Sequence, residues 1–125
     1  MERTRILLLD MPPLLLEMLR DAIAKQPDME IADARASADD LTALVERVGA
    51  DILVLKRDRP TKRDGYNAAL FRRPHLRILE IVDQGRRGLL YELRPARIAL
   101  GEISPQRLLD AIRSSRWRKR AAMHA

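Results

Sequence analysis

The sequence predicts an α/β domain in which a parallel sheet carries helices on both faces, the doubly wound architecture. Short apolar runs of strand length alternate along the chain with stretches whose apolar residues recur at helical spacing. Parallel neighbours need crossover connections, and a helix between successive strands supplies them. With 125 residues and 46% hydrophobic side chains, the chain has enough apolar material for one core. We predict one domain over residues 1–113 and a basic C-terminal segment over 114–125, either the end of the last helix or a frayed tail.

The N-terminal half predicts two strands and two helices. An apolar run closed by Asp10 has the length of a strand buried on both faces. After Pro13, which a first helical turn tolerates, the apolar residues fall on one side of a helix. Ser37 and Asp40 predict a capped helix that Gly49 stops. The strands are 5–9 and 29–34, the second alternating as an edge strand does, and the helices are 14–25 and 37–48.

The C-terminal half predicts three more strands. An apolar run after Asp51 gives the third, and Pro60 with a following Asp-Gly pair marks a loop. Ser104 and Pro105 open the last helix as a cap and a first-turn proline. The strands are 51–55, 76–82 and 96–100, and the short helices are 66–72 and a weak one at 89–93.

Composition narrows the class of protein. The chain has no cysteine, which excludes disulfides and thiolate chemistry. No apolar run reaches the length of a membrane span, and Asp10 interrupts the N-terminal run, so no signal peptide is expected. We expect a cytoplasmic protein. No nucleophile elbow, phosphate loop or metal spacing occurs, and His75 and His124 have no partners nearby in the sequence, so we do not expect an enzyme.

Four segments carry a family resemblance when they are taken in order. They are residues 6–15, 51–60, 64–65 and 104–112. In this order and spacing the chain resembles bacterial response-regulator receiver domains over nearly its full length. The resemblance implies a flavodoxin-like sheet of five parallel strands in the order 2-1-3-4-5, and a role in two-component signalling or a phosphorelay.

The residues that receivers use for phosphorylation are largely replaced here. Asp10 matches one of the two acids that hold Mg²⁺ in the family, but the resemblance puts Met11 at the other. It puts Lys56 at the phospho-acceptor aspartate, and an ammonium neither accepts a phosphoryl group as a carboxylate does nor ligates a hard cation. The switch hydroxyl, the fifth-strand lysine and the aromatic switch fall on Val82, Gly101 and Ile98. The resemblance therefore implies a pseudo-receiver without metal or cofactor.

An alternative register would restore an acceptor. Sliding the third strand by two residues puts Asp58 at the acceptor position, but it leaves Lys56 and Arg57 inside a strand buried on both faces, where unpaired charge is costly. A receiver that accepts phosphate on Asp58 stays open as an alternative.

Two kinds of partner follow from these observations. The resemblance implies a protein partner, either a signalling protein or a second copy, bound through the face near the fifth strand. That face would comprise Leu89, Leu90, Tyr91, Leu93, Arg94, Arg107 and Leu108. The alternative is nucleic acid, because the net charge is +6 and basic residues attract phosphate. The tail would supply Arg113, Arg116, Arg118, Lys119 and Arg120. A solvated basic exterior with no partner explains the same charges.

Lys56 needs an anion at the carboxyl end of the sheet. Asp10 is the predicted partner, because the first and third strands should be neighbours, and Glu80 in the fourth strand is the second. The competing expectation is that Lys56 extends to water, which leaves Asp10 either free or paired with an arginine.

Overall fold

The computed structural model describes residues 3–37, 39–61, 65–93 and 98–113. Its strands are β1 (Thr4–Leu9), β2 (Met29–Arg35), β3 (Ile52–Lys56), β4 (Arg77–Val82), β5 (Arg87–Tyr91) and β6 (Ile98–Glu102). Its helices are α1 (Pro13–Ala24), α2 (Leu41–Val48), α3 (Asn67–Arg72) and α4 (Pro105–Arg113). The predicted tail 114–125 lies outside these ranges, so that boundary stays a prediction.

The strands β1 and β3 are neighbours inside the sheet, and they are almost wholly apolar because both of their faces are covered. Successive side chains point to opposite faces. Ile6 and Leu8 therefore join a core under α1 and α4. Leu7 and Leu9 join a second core under α2 and α3. The predicted architecture of helices on both faces is confirmed.

Local signals define both ends of α2, which stops at Gly49 as predicted but begins at Leu41, four residues after the predicted start at Ser37. The Asp40 carboxylate accepts a hydrogen bond from the Ala43 backbone N–H at 3.1 Å, which satisfies one of the free donors of the first turn. Gly49 ends the helix with a φ of 71°, a left-handed conformation that costs glycine least. This helix returns the chain to the start of β3.

The sheet has six strands in the order β2-β1-β3-β4-β5-β6. The first four of these are parallel, whereas β5 runs antiparallel to both β4 and β6. The prediction of five parallel strands was therefore correct for the first four and wrong beyond β4. The segment predicted as a helix at 89–93 lies largely in β5, and the predicted fifth strand is β6, displaced to the sheet edge.

A tight turn at Asp83–Gly85 is the physical reason for this difference. Asp83 and Gln84 adopt positive φ angles of 55° and 57°, which reverse the chain within a few residues. Val82 consequently pairs with Arg87 in a hairpin, and no crossover helix is needed.

Gly88 lets the hairpin pack closely against the segment after β6. A Cβ atom at Gly88 would lie 3.0 Å from Cγ2 of Ile103 and 3.2 Å from Cδ1 of Leu100. Larger residues at this position would push β5 and β6 apart. The close approach completes the core under α4, where Leu90 and Leu100 are buried.

Candidate regulatory site at the carboxyl edge of the sheet

Asp10 and Arg57 form an ion pair across the carboxyl ends of β1 and β3. Leu9 pairs with Leu55 in the sheet, so the residues that follow each strand are close together. Nη1 of Arg57 donates to Oδ2 of Asp10 at 2.6 Å. The Arg57 backbone N–H donates to the Ile81 carbonyl at 2.9 Å, which fixes the arginine beside β4. The carboxylate that could have ligated a cation is therefore neutralised by the chain's own guanidinium.

Lys56 is the last residue of β3 and its ammonium pairs with Asp58, with 3.7 Å between Nζ and Oδ1. The Asp58 side chain is 101% exposed, so solvent screens this pair. Lys56 makes no ion pair with Asp10 or Glu80, and the predicted pairing was wrong. Arg57 takes the Asp10 carboxylate instead, as the competing expectation held.

The other positions matched to receiver chemistry offer no charged or hydroxyl group. Met11 is half-buried and packs against the core under α1 and α4. Val82 is fully buried at the end of β4. Gly101 lies in β6 with a φ of 73°, and Ile98 is the first residue of that strand. The structure thus brings Asp10, Lys56 and Asp58 to one edge of the sheet without assembling an acceptor and its metal ligands.

Glu80 lies in β4 and is fully buried, and the hydrogen bonds that it accepts from the described residues all come from neutral donors. Its Oε2 atom is 2.6 Å from Oγ1 of Thr61 and 2.5 Å from the Tyr66 hydroxyl. Its Oε1 atom is 3.0 Å from the Thr61 backbone N and 3.0 Å from the Tyr91 hydroxyl. A buried carboxylate is costly without such donors. This group, which we call the Glu80 cluster, fixes the segment after β3 against β4 and β5.

The aromatic rings of the Glu80 cluster add packing to these hydrogen bonds. Tyr66 and Tyr91 meet edge to face, with ring centroids 4.8 Å apart and an angle of 78°. Burial, together with the hydrogen bond to Glu80, raises the pKa of the Tyr66 phenol well above its ordinary value. The phenol therefore stays a hydrogen-bond donor through the physiological pH range.

Much of the predicted partner face is inside the protein. Leu90, Tyr91 and Leu108 are buried, because β5 is a strand within the sheet and α4 packs its apolar side onto it. Leu89 is half-buried. Leu93 and Arg107 are exposed, and Arg94 lies outside the described residues. The face as predicted was wrong for its three buried members.

Several arginines have structural partners. Arg113, at the end of α4, donates to Asp28 at 3.0 Å and to Gln26 at 2.6 Å, and this contact holds the pKa of the Asp28 carboxyl below its usual value. Arg72 donates to Glu46 at 2.5 Å, and Nε of Arg73 donates to a backbone carbonyl. Arg116, Arg118, Lys119 and Arg120 lie outside the described residues, so their role in phosphate binding stays a prediction.

Two further observations concern the ranges that the structure covers. Among these residues, no helix combines the length and apolar character needed to cross a bilayer. Within the same ranges, no three His, Cys, Asp or Glu side chains are grouped as a metal site would require.

Comparisons with known proteins agree with this description. No protein-family model and no curated protein matches the sequence. A solved structure is similar, that of the isolated REC domain of RcsB from Salmonella enterica serovar Typhimurium in the presence of the phosphomimetic BeF3⁻, with a TM-score of 0.52 and 13% sequence identity. The fold is receiver-like. The superposition covers 65% of this chain and 62% of the RcsB domain, which is less than two thirds of either, and at this identity it concerns the fold alone.

The receiver-like edge does not fit the magnesium ion that such domains imply. A hard cation needs several oxygen ligands, and here Asp10 is held by Arg57 while Met11 supplies no oxygen. The Lys56 ammonium is a second positive charge beside the same cleft, which is lined by Asp10, Pro12, Lys56, Arg57 and Asp58.

Sequence reasoning missed two features of this receiver-like edge. Arg57 directly follows Lys56, but nothing in the sequence shows that its guanidinium reaches Asp10. Glu80 was considered only as a partner for Lys56. Glu80 stands inside an apolar strand, and a buried carboxylate needs hydrogen-bond donors. The chain has only two tyrosines, and their hydroxyl groups were candidates for these donors.

Proposed function

We propose that this chain is a receiver-like module that works without phosphorylation and acts in signal transduction by binding a protein partner. The observation that carries the proposal is the pair between Arg57 and Asp10 beside Lys56 at the end of β3. This arrangement puts two cations where phosphoryl transfer to a carboxylate would need a metal ion and a free acid.

Asp58 offers little support for the alternative in which it accepts phosphate. β3 ends at Lys56, where that residue pairs with Ile81 of β4, so Asp58 lies two positions beyond the sheet. Its side chain is fully exposed and contacts only Lys56 among the ion pairs of the described residues. Asp10 lines the same cleft as Asp58, but its carboxylate is paired with Arg57 at 2.6 Å.

The Glu80 cluster favours a module that keeps one conformation. Receivers signal by a change of state, which requires an element that is stable in two arrangements. Here Thr61, Tyr66 and Tyr91 surround one buried carboxylate. The single proton of the Tyr91 hydroxyl is shared between Glu80 of β4 and the Thr61 carbonyl, each 3.0 Å away. A domain that does not change conformation can act in signal transduction by binding a partner.

Phosphodonor treatment tests the first half of the proposal. We expect acetyl phosphate with Mg²⁺ to leave the intact mass unchanged, and beryllofluoride to leave the backbone NMR spectrum unchanged. The matched control is the Met11→Asp, Lys56→Asp double variant, which restores both carboxylates to the same backbone. Phosphate incorporation into the unmodified chain, lost in Asp58→Ala, would establish the phospho-accepting alternative.

A cross-linking pull-down from the source cell tests the second half. We expect a specific protein whose purified form binds the chain equally with and without a phosphodonor. Sedimentation of the isolated chain distinguishes a second copy from another partner. Recovery of nucleic acid with sequence-selective, weakly salt-dependent affinity would contradict a protein-binding role, because non-specific phosphate contacts weaken steeply with salt.

A further inference from the structure

A groove of about 420 Å³ lies at the carboxyl edge of the sheet, between the first turns of α1 and α4. Its volume is in the range of sites for small ligands, roughly 300–1,000 Å³. Lys56 and Gln84 supply polar groups to its lining. The apolar residues of its walls are Leu14, Leu15, Met18, Ile103, Pro105 and Leu108.

The α1 wall of the groove leaves apolar surface in contact with water. Leu14 is 83% exposed and Met18 is 36% exposed, and they are neighbours because they stand four positions apart on α1. Across the groove, Ile103 is half-buried and Pro105 is exposed. Single exposed leucines are common, but facing apolar walls around a concave surface are typical of a binding site.

Lys56 points into the groove because of its place in β3. Ile52 and Val54 alternate toward the core under α1 and α4, and Lys56 continues that alternation. Its side chain is only 22% exposed, whereas Asp58, its acidic partner at 3.7 Å, is fully exposed. A screened pair of this kind is weak, so the ammonium is available to a better-placed anion.

The surroundings of the groove favour a negative charge. Neither α1 nor α4 has an acid in its first turn, and both helices begin at the groove, so their amino ends add positive potential to that of Lys56. No described residue that lines the groove is acidic. Asp10 lines the adjoining cleft and is neutralised by Arg57 at 2.6 Å, and Asp83, which precedes Gln84, pairs with Arg87 at 3.3 Å. The groove therefore combines a positive electrostatic potential with apolar walls.

We propose that this groove binds a small amphipathic carboxylate, with its carboxylate on the Lys56 ammonium and its aliphatic chain along the walls of α1 and α4. A neutral alcohol of the same length would lose the ion pair, and a short acid would lose the apolar contact. The site goes beyond the protein-binding role proposed above and does not depend on it.

Sodium decanoate below its micellar concentration is the probe. Titration calorimetry gives its affinity, and methyl NMR of the full chain locates it. We expect saturable binding and shifts confined to the methyl groups of Leu14, Leu15, Met18 and Ile103. Decanol and decyltrimethylammonium should each bind at least roughly tenfold more weakly, because both lack the charge-assisted hydrogen bond.

Lys56→Met is the decisive variant, because it keeps the stem of the side chain and removes the charge. We expect it to weaken decanoate binding roughly tenfold, while Lys25→Met, an exposed lysine at the far end of α1, leaves binding unchanged. Leu14→Ser should weaken decanoate and decanol alike.

Three results of the decanoate and decanol experiments would overturn the proposal. They are equal decanoate affinity in Lys56→Met and the unmodified chain, equal affinity for decanol, and methyl shifts centred away from the groove. Binding of a peptide with an apolar free C-terminus, in the absence of any decanoate binding, would assign the groove to a protein segment and would equally exclude a small amphiphile.

Discussion

Replacing Tyr66 with phenylalanine isolates one hydrogen bond of the Glu80 cluster. The substitution keeps the ring and its edge-to-face contact with Tyr91, and it removes the hydroxyl that lies 2.5 Å from Oε2 of Glu80. That oxygen retains Oγ1 of Thr61 at 2.6 Å, so the carboxylate keeps one of its two donors there. A buried hydrogen bond to a charged group contributes about 1.5–3 kcal/mol. We expect the free energy of unfolding to fall by about 2 kcal/mol.

Urea denaturation followed by circular dichroism measures this loss. With a slope near 2 kcal/mol per molar urea, the midpoint should fall by roughly 1 M. Ser37→Ala, which removes a hydroxyl from an exposed position, is the control and should leave the midpoint unchanged.

A double-mutant cycle with Glu80→Gln tests whether the loss belongs to this contact. The amide keeps the shape of the side chain and removes its charge, so Tyr66→Phe should cost at least about 1 kcal/mol less in that background. A cost below about 0.5 kcal/mol in the unmodified background, or equal costs in both, would refute the assignment of Glu80 as a carboxylate held by hydroxyl donors.

The remaining predictions concern pH and surface charge. The folded-state pKa of Tyr66 is raised above its ordinary value near 10, so the protonated phenol stabilises the fold below pH 10 and this stabilisation is lost as the pH rises further. Urea midpoints measured at increasing pH should therefore fall above pH 10, and Tyr66→Phe should not show this fall. Lys56→Met should leave the thermal midpoint essentially unchanged, since its pair with Asp58 is screened, and a large loss would show that the ammonium is structurally required. Arg113 lowers the pKa of Asp28, so the unmodified chain should be more stable than Arg113→Met above pH 3.8, the ordinary pKa of an aspartate, and this difference should shrink at lower pH. A difference in stability that stays constant during acid denaturation would contradict the pairing.

The parallel part of the receiver-like fold was readable from the sequence because its signals are local. In a domain of this size, a short continuous apolar run such as 6–9 predicts a strand that is covered on both faces. The cap at Asp40 and the stop at Gly49 likewise depend on a few adjacent residues. Such features do not require knowledge of the rest of the chain.

The antiparallel part was not readable for the opposite reason. The segment 87–91 is short, with apolar residues that suit one helical turn and one strand equally well. The turn at Asp83–Gly85 determines that this segment forms a strand and not a helical turn. Two non-glycine residues adopt positive φ angles in this turn, and such angles cannot be predicted from residue type. The close packing of Gly88 against Ile103, fifteen positions later in the sequence, also favours the strand.

The candidate site was only partly predictable for a related reason. Lys56, Asp10 and Met11 were placed correctly at one edge, because parallel strands end together. Which acid each cation would reach depends on side-chain length and on the path of the chain after β3. Arg57 reaches Asp10 across that edge, whereas Lys56 turns toward the groove.

The hairpin between β4 and β5 also bears on how the chain folds. Val82 and Arg87 are paired although they stand only five positions apart, whereas Ile6 must find Ile52 across the whole of α1, β2 and α2. Closing a long loop costs more conformational entropy than closing a short one, so local pairs form early. We therefore expect the hairpin of β4 and β5 to form before the N-terminal strands pair with their neighbours. Where receivers with five parallel strands must complete every pairing through a crossover, this chain has one part of its sheet that can form first.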